Sequence, residues 1–126
     1  MSGKRYFLDT NAIVALLAGN CNLLELLNQA DYVATSVICE LEYLAFPDLP
    51  DEDRALFEQF RTKVHIADLC SGDTPLRAEI LQLRADRKIK LPDAIIAASA
   101  RNQNCILVTE DKLLLGHQAI RSKSYV

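Results

Sequence analysis

Four carboxylates stand at or near the ends of short apolar runs. Asp9 follows Tyr6-Phe7-Leu8, and Glu42 ends the segment that begins Ser36-Val37-Ile38-Cys39. Asp93 follows Leu91-Pro92, and Asp111 follows Ile106-Leu107-Val108-Thr109-Glu110. Brought to one edge of a sheet, these acids would repel one another. Such a cluster is tolerable mainly where a hard divalent cation neutralises it. Mg2+ and Mn2+ favour oxygen ligands, typically a few carboxylates with several retained waters. An ion held this way lowers the pKa of a bound water and polarises a phosphoryl oxygen, and a second ion would stabilise the leaving oxygen. The pattern therefore points to a metal-dependent hydrolase, with one ion or two both compatible.

Each acid also has an ordinary structural role. Asp9 suits a helix cap after a strand, Asp93 a helix dipole, Asp111 a turn and Glu42 a solvated helix face. The solvated face at Glu42 is narrow, because Leu41, Tyr43 and Leu44 flank it. Ile38 lies one helical turn before it, so with Ile38 in the core Glu42 is expected at the core's edge, where an unpaired carboxylate is costly. No nucleophilic triad competes, since His65 and His117 are isolated. The four glycines, Gly3, Gly19, Gly72 and Gly116, form no phosphate-cradling loop.

The elements that would position these acids alternate between strand and helix. Tyr6 to Leu8 is a short apolar strand of the kind found inside a parallel sheet. A helix follows from Ala12 toward Gly19-Asn20, and a second carries Leu23, Leu24, Leu26 and Leu27. Tyr32 to Ala34 is a second strand, and Ser36 caps a helix running from about Val37 to Ala45. Asp51-Glu52-Asp53 opens a helix through Phe60 after the breaks at Pro47 and Pro50. Val64 to Ile66 is a third strand. Thr74 caps a helix with Pro75 at its first position, ending near Lys88, and Pro92 opens another from Asp93 to Asn102. Cys105 to Val108 is a fourth strand, and a weak fifth falls around Ile120. This alternation predicts an α/β fold with a mostly parallel sheet of four to five strands, right-handed crossovers, and ligands at the carboxyl ends of the strands. Asp9 and Asp111 both fall at such ends.

The totals fit one domain over residues 1–126. Half of the 126 residues are hydrophobic and 25% are charged, which suits a globular chain rather than a disordered one. A net charge of −3 argues against a strongly basic nucleic-acid wrapper, but not against a nuclease whose acids hold metal. The segment Arg84, Arg87, Lys88 and Lys90 supplies local positive charge, either for phosphates or as a solvated helix face. Cys21, Cys39, Cys70 and Cys105 lack zinc-site spacing and lie in or beside apolar segments, so they are expected as reduced thiols in a cytoplasmic protein. Neither a signal peptide nor a membrane-spanning stretch is expected.

At the acidic positions the sequence resembles the PIN-domain family, especially the small VapC-type toxins of bacterial and archaeal toxin–antitoxin pairs. The resemblance rests on Phe7-Leu8-Asp9-Thr10-Asn11, on Ser36-Val37-Ile38 through Glu42, on Leu91-Pro92-Asp93-Ala94-Ile95-Ile96-Ala97-Ala98, and on Leu107-Val108-Thr109-Glu110-Asp111. These segments span nearly the whole chain in the family's order. The resemblance implies a three-layer α/β/α fold and a Mg2+- or Mn2+-dependent ribonuclease. Asp9, Glu42, Asp93 and Asp111 would form its acidic site, with Asp9, Asp93 and Asp111 holding metal. Thr10, Asn11, Ser36 and Thr109 would be supporting polar positions. Glu42, rather than Glu40, has the family's spacing from Ser36, and Asp111, rather than Glu110, takes the last acidic position. Leu113 and Leu114 stand where many relatives have another Asp and a Phe, a departure that bears on any auxiliary outer ligand.

The implied reaction is hydrolysis of an RNA phosphodiester by a metal-activated water, leaving a 5′-phosphate and a 3′-hydroxyl. Arg84, Arg87 and Lys88 are candidates for the RNA backbone, and a homodimer and an antitoxin that covers the acidic groove are the implied partners. Three alternatives compete: a housekeeping PIN nuclease in RNA processing, a catalytically silent PIN-like module that binds protein, and phosphoryl transfer through Asp9. The last is disfavoured by Asn11, which stands where haloacid-dehalogenase-like enzymes carry a second Asp, and by the short chain.

Overall fold

The computed structural model describes residues 3–126. The elements run β1 (Arg5–Leu8), α1 (Thr10–Leu17), α2 (Cys21–Asn28), β2 (Tyr32–Ser36), α3 (Val37–Leu44), α4 (Asp51–Arg61), β3 (His65–Ala67), α5 (Thr74–Arg84), α6 (Leu91–Asn102), β4 (Ile106–Val108), α7 (Lys112–Leu115) and β5 (Ser122–Lys123). The strands form one sheet in the order β3-β2-β1-β4-β5, and every pairing is parallel.

This order fixes where a ligand can reach the chain. From β1 the chain steps outward to β2 and β3, then crosses back to β4 on the other flank. With right-handed crossovers, α1 to α4 lie on one face and α5 to α7 on the other, giving the three-layer α/β/α arrangement. The winding direction reverses between β1 and β4, and a crevice opens outside the carboxyl ends of two neighbouring strands at such a point. Leu8 pairs with Val108 across it, and the Asp9 N–H donates to the Val108 carbonyl at 3.1 Å.

The central strands are buried on both faces, and Phe7, Leu8, Leu107 and Val108 have no exposed surface. Such strands read as continuous apolar runs because neither face meets water. Helix α6 is enclosed along Ala94–Ala100, where small Ala and Ser side chains allow close approach of its neighbours. On the opposite face Phe57 stacks on Tyr43, with ring centroids 5.1 Å apart. The Thr35 hydroxyl donates to the Leu8 carbonyl at 2.7 Å, fastening β2 to β1 at the level of the crevice.

Several local expectations shift. Asp73, not Thr74, caps α5, because its carboxylate reaches the Leu76 N–H at 3.1 Å and leaves Pro75 in the first turn. That helix stops at Arg84 rather than near Lys88, so Arg87 and Lys88 lie in the turn before α6. The fifth strand is Ser122–Lys123 rather than around Ile120, set by its register against Leu107 and Val108. Helix α7 has only four residues, too few for a periodic signal.

Cys39 and Cys105 are buried while Cys21 and Cys70 are exposed, and all four are free thiols. Burial pushes the Cys39 thiol up to about 11, so it stays protonated as a small apolar group. Among the described residues no single helix is long and apolar enough to cross a membrane.

Candidate active site

Asp9, Glu42, Asp93 and Asp111 line one open cavity of about 390 Å³, together with Thr10, Asn11, Val14 and Phe46. Among the described residues no basic side chain lines it. A larger cleft of about 700 Å³ between α2, β2 and α4 is mainly apolar and contains none of these acids.

Each acid arrives from a different element. Asp9 leaves β1 and caps α1, with Oδ1 accepting the Thr10 N–H at 2.8 Å. Its Oδ2 accepts from the Thr109 hydroxyl at 2.7 Å and from Asn11 Nδ2 at 3.2 Å. Although these bonds favour the carboxylate, burial outweighs them, and the Glu42 and Asp111 charges add to it. The Asp9 pKa is therefore raised. Asp93 sits in the first turn of α6, and its carboxylate makes no hydrogen bond among the described residues. Burial first, then the charges of Asp9, Asp111 and Glu42, push its carboxyl up to about 6 against a weaker downward pull from Lys90. Asp111 caps α7 through Oδ1, which accepts from Leu113 at 2.9 Å and Leu114 at 3.3 Å. Glu42 projects from α3 and accepts the Thr10 hydroxyl at 2.5 Å. It is exposed, so the desolvation expected at the core's edge does not arise.

The neighbouring acids are turned to other uses. Glu40 pairs with Arg61 at 2.6 Å. Glu110 points to the chain's last residues, accepting the Tyr125 N–H at 2.8 Å and the Ser124 hydroxyl. Those bonds hold its carboxyl below the usual range, the Ser124 hydroxyl first among them.

Of the polar residues singled out by sequence, Thr10 and Asn11 line the cavity and Thr109 lies directly beneath it. Thr109 is fully buried and its one hydroxyl serves three partners. It donates to Asp9 and accepts from Asn11 Nδ2 at 3.1 Å and the Asp111 N–H at 3.0 Å, joining two of the acids. Thr109→Val keeps the shape but strands these partners. It should destabilise the fold by about 1–3 kcal/mol in urea titrations monitored by circular dichroism. Ser36 is buried beneath α3, capping the Ile38 N–H at 3.0 Å, and does not line the cavity. Arg84, Arg87 and Lys88 are exposed and also lie outside its lining. Sequence reasoning missed the apolar rim formed by Val14 and Phe46, and it missed Tyr125, whose hydroxyl donates to Asn11 Oδ1 at 3.2 Å. No local pattern marks Tyr125, because its partner lies at the other end of the chain.

The donor set suits a hard cation: it is all oxygen, it repels itself, and no basic residue among the described ones lines it. Among the described residues no three or more His, Cys, Asp or Glu side chains are arranged to hold a metal ion directly. Mg2+ commonly keeps several waters and rests on one or two carboxylates, so it does not require a cage of three.

Residues 6–115 match the PIN domain family. No curated protein is significantly similar in sequence. Among solved structures, DNA-bound VapBC from Salmonella typhimurium superimposes with a TM-score of 0.80 at 23% identity, covering 98% of this chain and 99% of that one. VapBC-1 from nontypeable Haemophilus influenzae gives 0.77 at 22% identity, covering 96% and 98%. A toxin-antitoxin complex from Klebsiella pneumoniae gives 0.74 at 22%, also covering 96% and 98%. At these identities the structures speak to the fold. The family match over residues 6–115 goes further: with its five parallel strands and the acidic crevice at their carboxyl ends, the chain belongs to the PIN-domain family.

Proposed function

We propose that this chain is a Mg2+- or Mn2+-dependent endoribonuclease, the VapC-type toxin of a toxin–antitoxin pair. The observation that carries the reading is the convergence of four carboxylates from four separate elements on one cavity, with no basic residue among the described ones in its lining. Self-repulsion of that kind is a standing cost unless a cation is bound. The family match and the toxin–antitoxin neighbours support the toxin assignment.

Asp9, Asp93 and Asp111 would hold the ion, directly or through water. When bound, such an ion supplies a low-pKa water and polarises a phosphoryl oxygen. The chain's own groups then orient the reaction. Asp9 is held by three hydrogen bonds, so its lone pairs face the cavity in a fixed direction. Asp111 spends Oδ1 on α7 and keeps Oδ2 clear of hydrogen bonds among the described residues. Glu42, exposed at the rim, orients the attacking water, while the Thr10 hydroxyl fixes its rotamer. Hydrolysis forms a new P–O bond from water and breaks the bond to the 3′ oxygen, leaving a 5′-phosphate and a 3′-hydroxyl. Arg84, Arg87 and Lys88, exposed and outside the cavity, would contact the RNA backbone and position it without reading sequence. A homodimer and an antitoxin covering the acidic cavity complete the proposed assembly, in the cytoplasm.

The test is cleavage of structured RNA by the purified chain, freed of any antitoxin. With Mg2+ or Mn2+ the RNA should be cut, EDTA should stop it, and end mapping should find 5′-phosphates. Cleavage indifferent to EDTA, or none with either ion, would sink the reading.

A further inference from the structure

Residues 124–126 lie beyond the segment that matches the family, yet Tyr125 reaches back to Asn11, which lines the acidic cavity. Two clamps hold them there. Glu110 accepts the Tyr125 N–H at 2.8 Å and the Ser124 hydroxyl, and Asn22 Nδ2 donates to the Tyr125 carbonyl at 3.1 Å. Tyr125 then shares its hydroxyl proton between the Asn11 backbone carbonyl and Asn11 Oδ1, each at 3.2 Å. The same Oδ1 accepts the Glu110 N–H at 3.1 Å. On the far side of that amide, Nδ2 donates to Asp9 Oδ2 and to Thr109 Oγ1.

We propose that Tyr125 is a positioning residue for the acidic site: with Glu110, it locks the Asn11 amide so that its NH2 faces Asp9. An asparagine amide occupies nearly the same space when turned by half a revolution, so its orientation is decided by the donors and acceptors around it. Here two donors face the carbonyl side and two oxygens face the amino side. Turning the amide would set Oδ1 against the Asp9 carboxylate and NH2 against the Glu110 N–H, and would take from the Tyr125 hydroxyl one of the two acceptors it shares. Tyr125 thereby adds to the preference for the present orientation. Burial first, then the Glu110 and Asp9 charges, keep its phenol above the ordinary range, so it remains a donor throughout neutral pH. The arrangement also gives Glu110 a use. One residue before Asp111, it clamps the tail instead of facing the cavity.

The consequence reaches Asp9 through Asn11, and it rests on the metal-dependent nuclease reading for its Mg2+-binding and kinetic parts. Tyr125→Phe removes the hydroxyl and nothing else. In the isotope-labelled full chain, the Asn11 side-chain amide resonances should shift or broaden. Mg2+ affinity by titration calorimetry should weaken about 3–10-fold, the loss of roughly one neutral hydrogen bond. The kcat for RNA should fall by a similar factor with KM unchanged. Glu110→Gln keeps the hydroxyl but weakens its clamp, and should move the same resonances less. If the Asn11 resonances stay in place in Tyr125→Phe, or only the melting temperature changes, the inference is overturned. A wild-type chain that cuts no RNA would overturn the nuclease reading instead, and the amide resonances would still decide this one.

Discussion

Asp9→Asn should lower RNA cleavage by on the order of 10²–10³-fold or more while leaving the fold standing. That is the scale set by removing one preorganised electrostatic group from a catalytic site. Asp9 is 5% exposed and fixed by bonds from Thr10, Asn11 and Thr109, so the loss of charge cannot be made good by another rotamer. Two effects on stability oppose each other. A neutral amide relieves the burial that raises the Asp9 pKa, but it offers one acceptor fewer. The new NH2 must face either the Thr10 N–H or the donors of Asn11 and Thr109, a cost that offsets part of the relief. The melting temperature, followed by circular dichroism, should therefore move by only a few degrees. Glu40→Gln is the matched control: it removes an acid engaged with the half-exposed Arg61 and should cleave at the wild-type rate. If Asp9→Asn also cleaves at that rate, the cavity is not the reaction centre.

The degree to which sequence reveals this site follows from how each residue is held. Asp9 and Asp111 are readable because a parallel sheet gathers strand ends, and the apolar runs before them mark those strands. Glu42 and Asp93 lie on helices, where an acid has many ordinary roles, and only resemblance to a family drew them in. The helical-face argument for Glu42 pointed the wrong way about its surroundings. Ile38 does pack against the core, yet Glu42 is exposed and bonded to Thr10. The alternating strands and helices were legible from apolar runs and prolines. Short elements were not, because β5 depends on register with β4 and α7 on the Asp111 cap. The Tyr125 contact was beyond reach for a related reason. Hydrogen bonds between distant residues leave no periodicity, and a Tyr near a chain end is unremarkable by composition.

Asp93→Asn should stabilise the metal-free protein at pH 7.5, and the gain should vanish toward pH 4. The folded carboxyl is pushed from an ordinary 3.8 to about 6, first by burial and then by Asp9, Asp111 and Glu42. Between about pH 4 and 6 the folded chain keeps a proton that the unfolded chain has lost. Stability therefore falls with rising pH across that window, the reverse of a salt-bridged carboxylate. Below it both states are protonated and the shift costs nothing, while above about 6 the destabilisation is complete. Asn carries no such charge, so its melting temperature minus that of the wild type should grow through the window. The difference should then level off at a few degrees. Because protons and a divalent cation compete for the same acids, Mg2+ should raise the wild-type melting temperature more at pH 7.5 than at pH 5. A ligand at a hundred times its Kd stabilises the folded state by about 2.7 kcal/mol. In Asp93→Asn the Mg2+ response should shrink, and RNA cleavage should fall with it. A difference between the two proteins that stays flat with pH would mean Asp93 is not held up by its neighbours. A Mg2+ response equal in both would mean that Asp93 contributes nothing to holding the ion, leaving Asp9 and Asp111 as its carboxylate ligands.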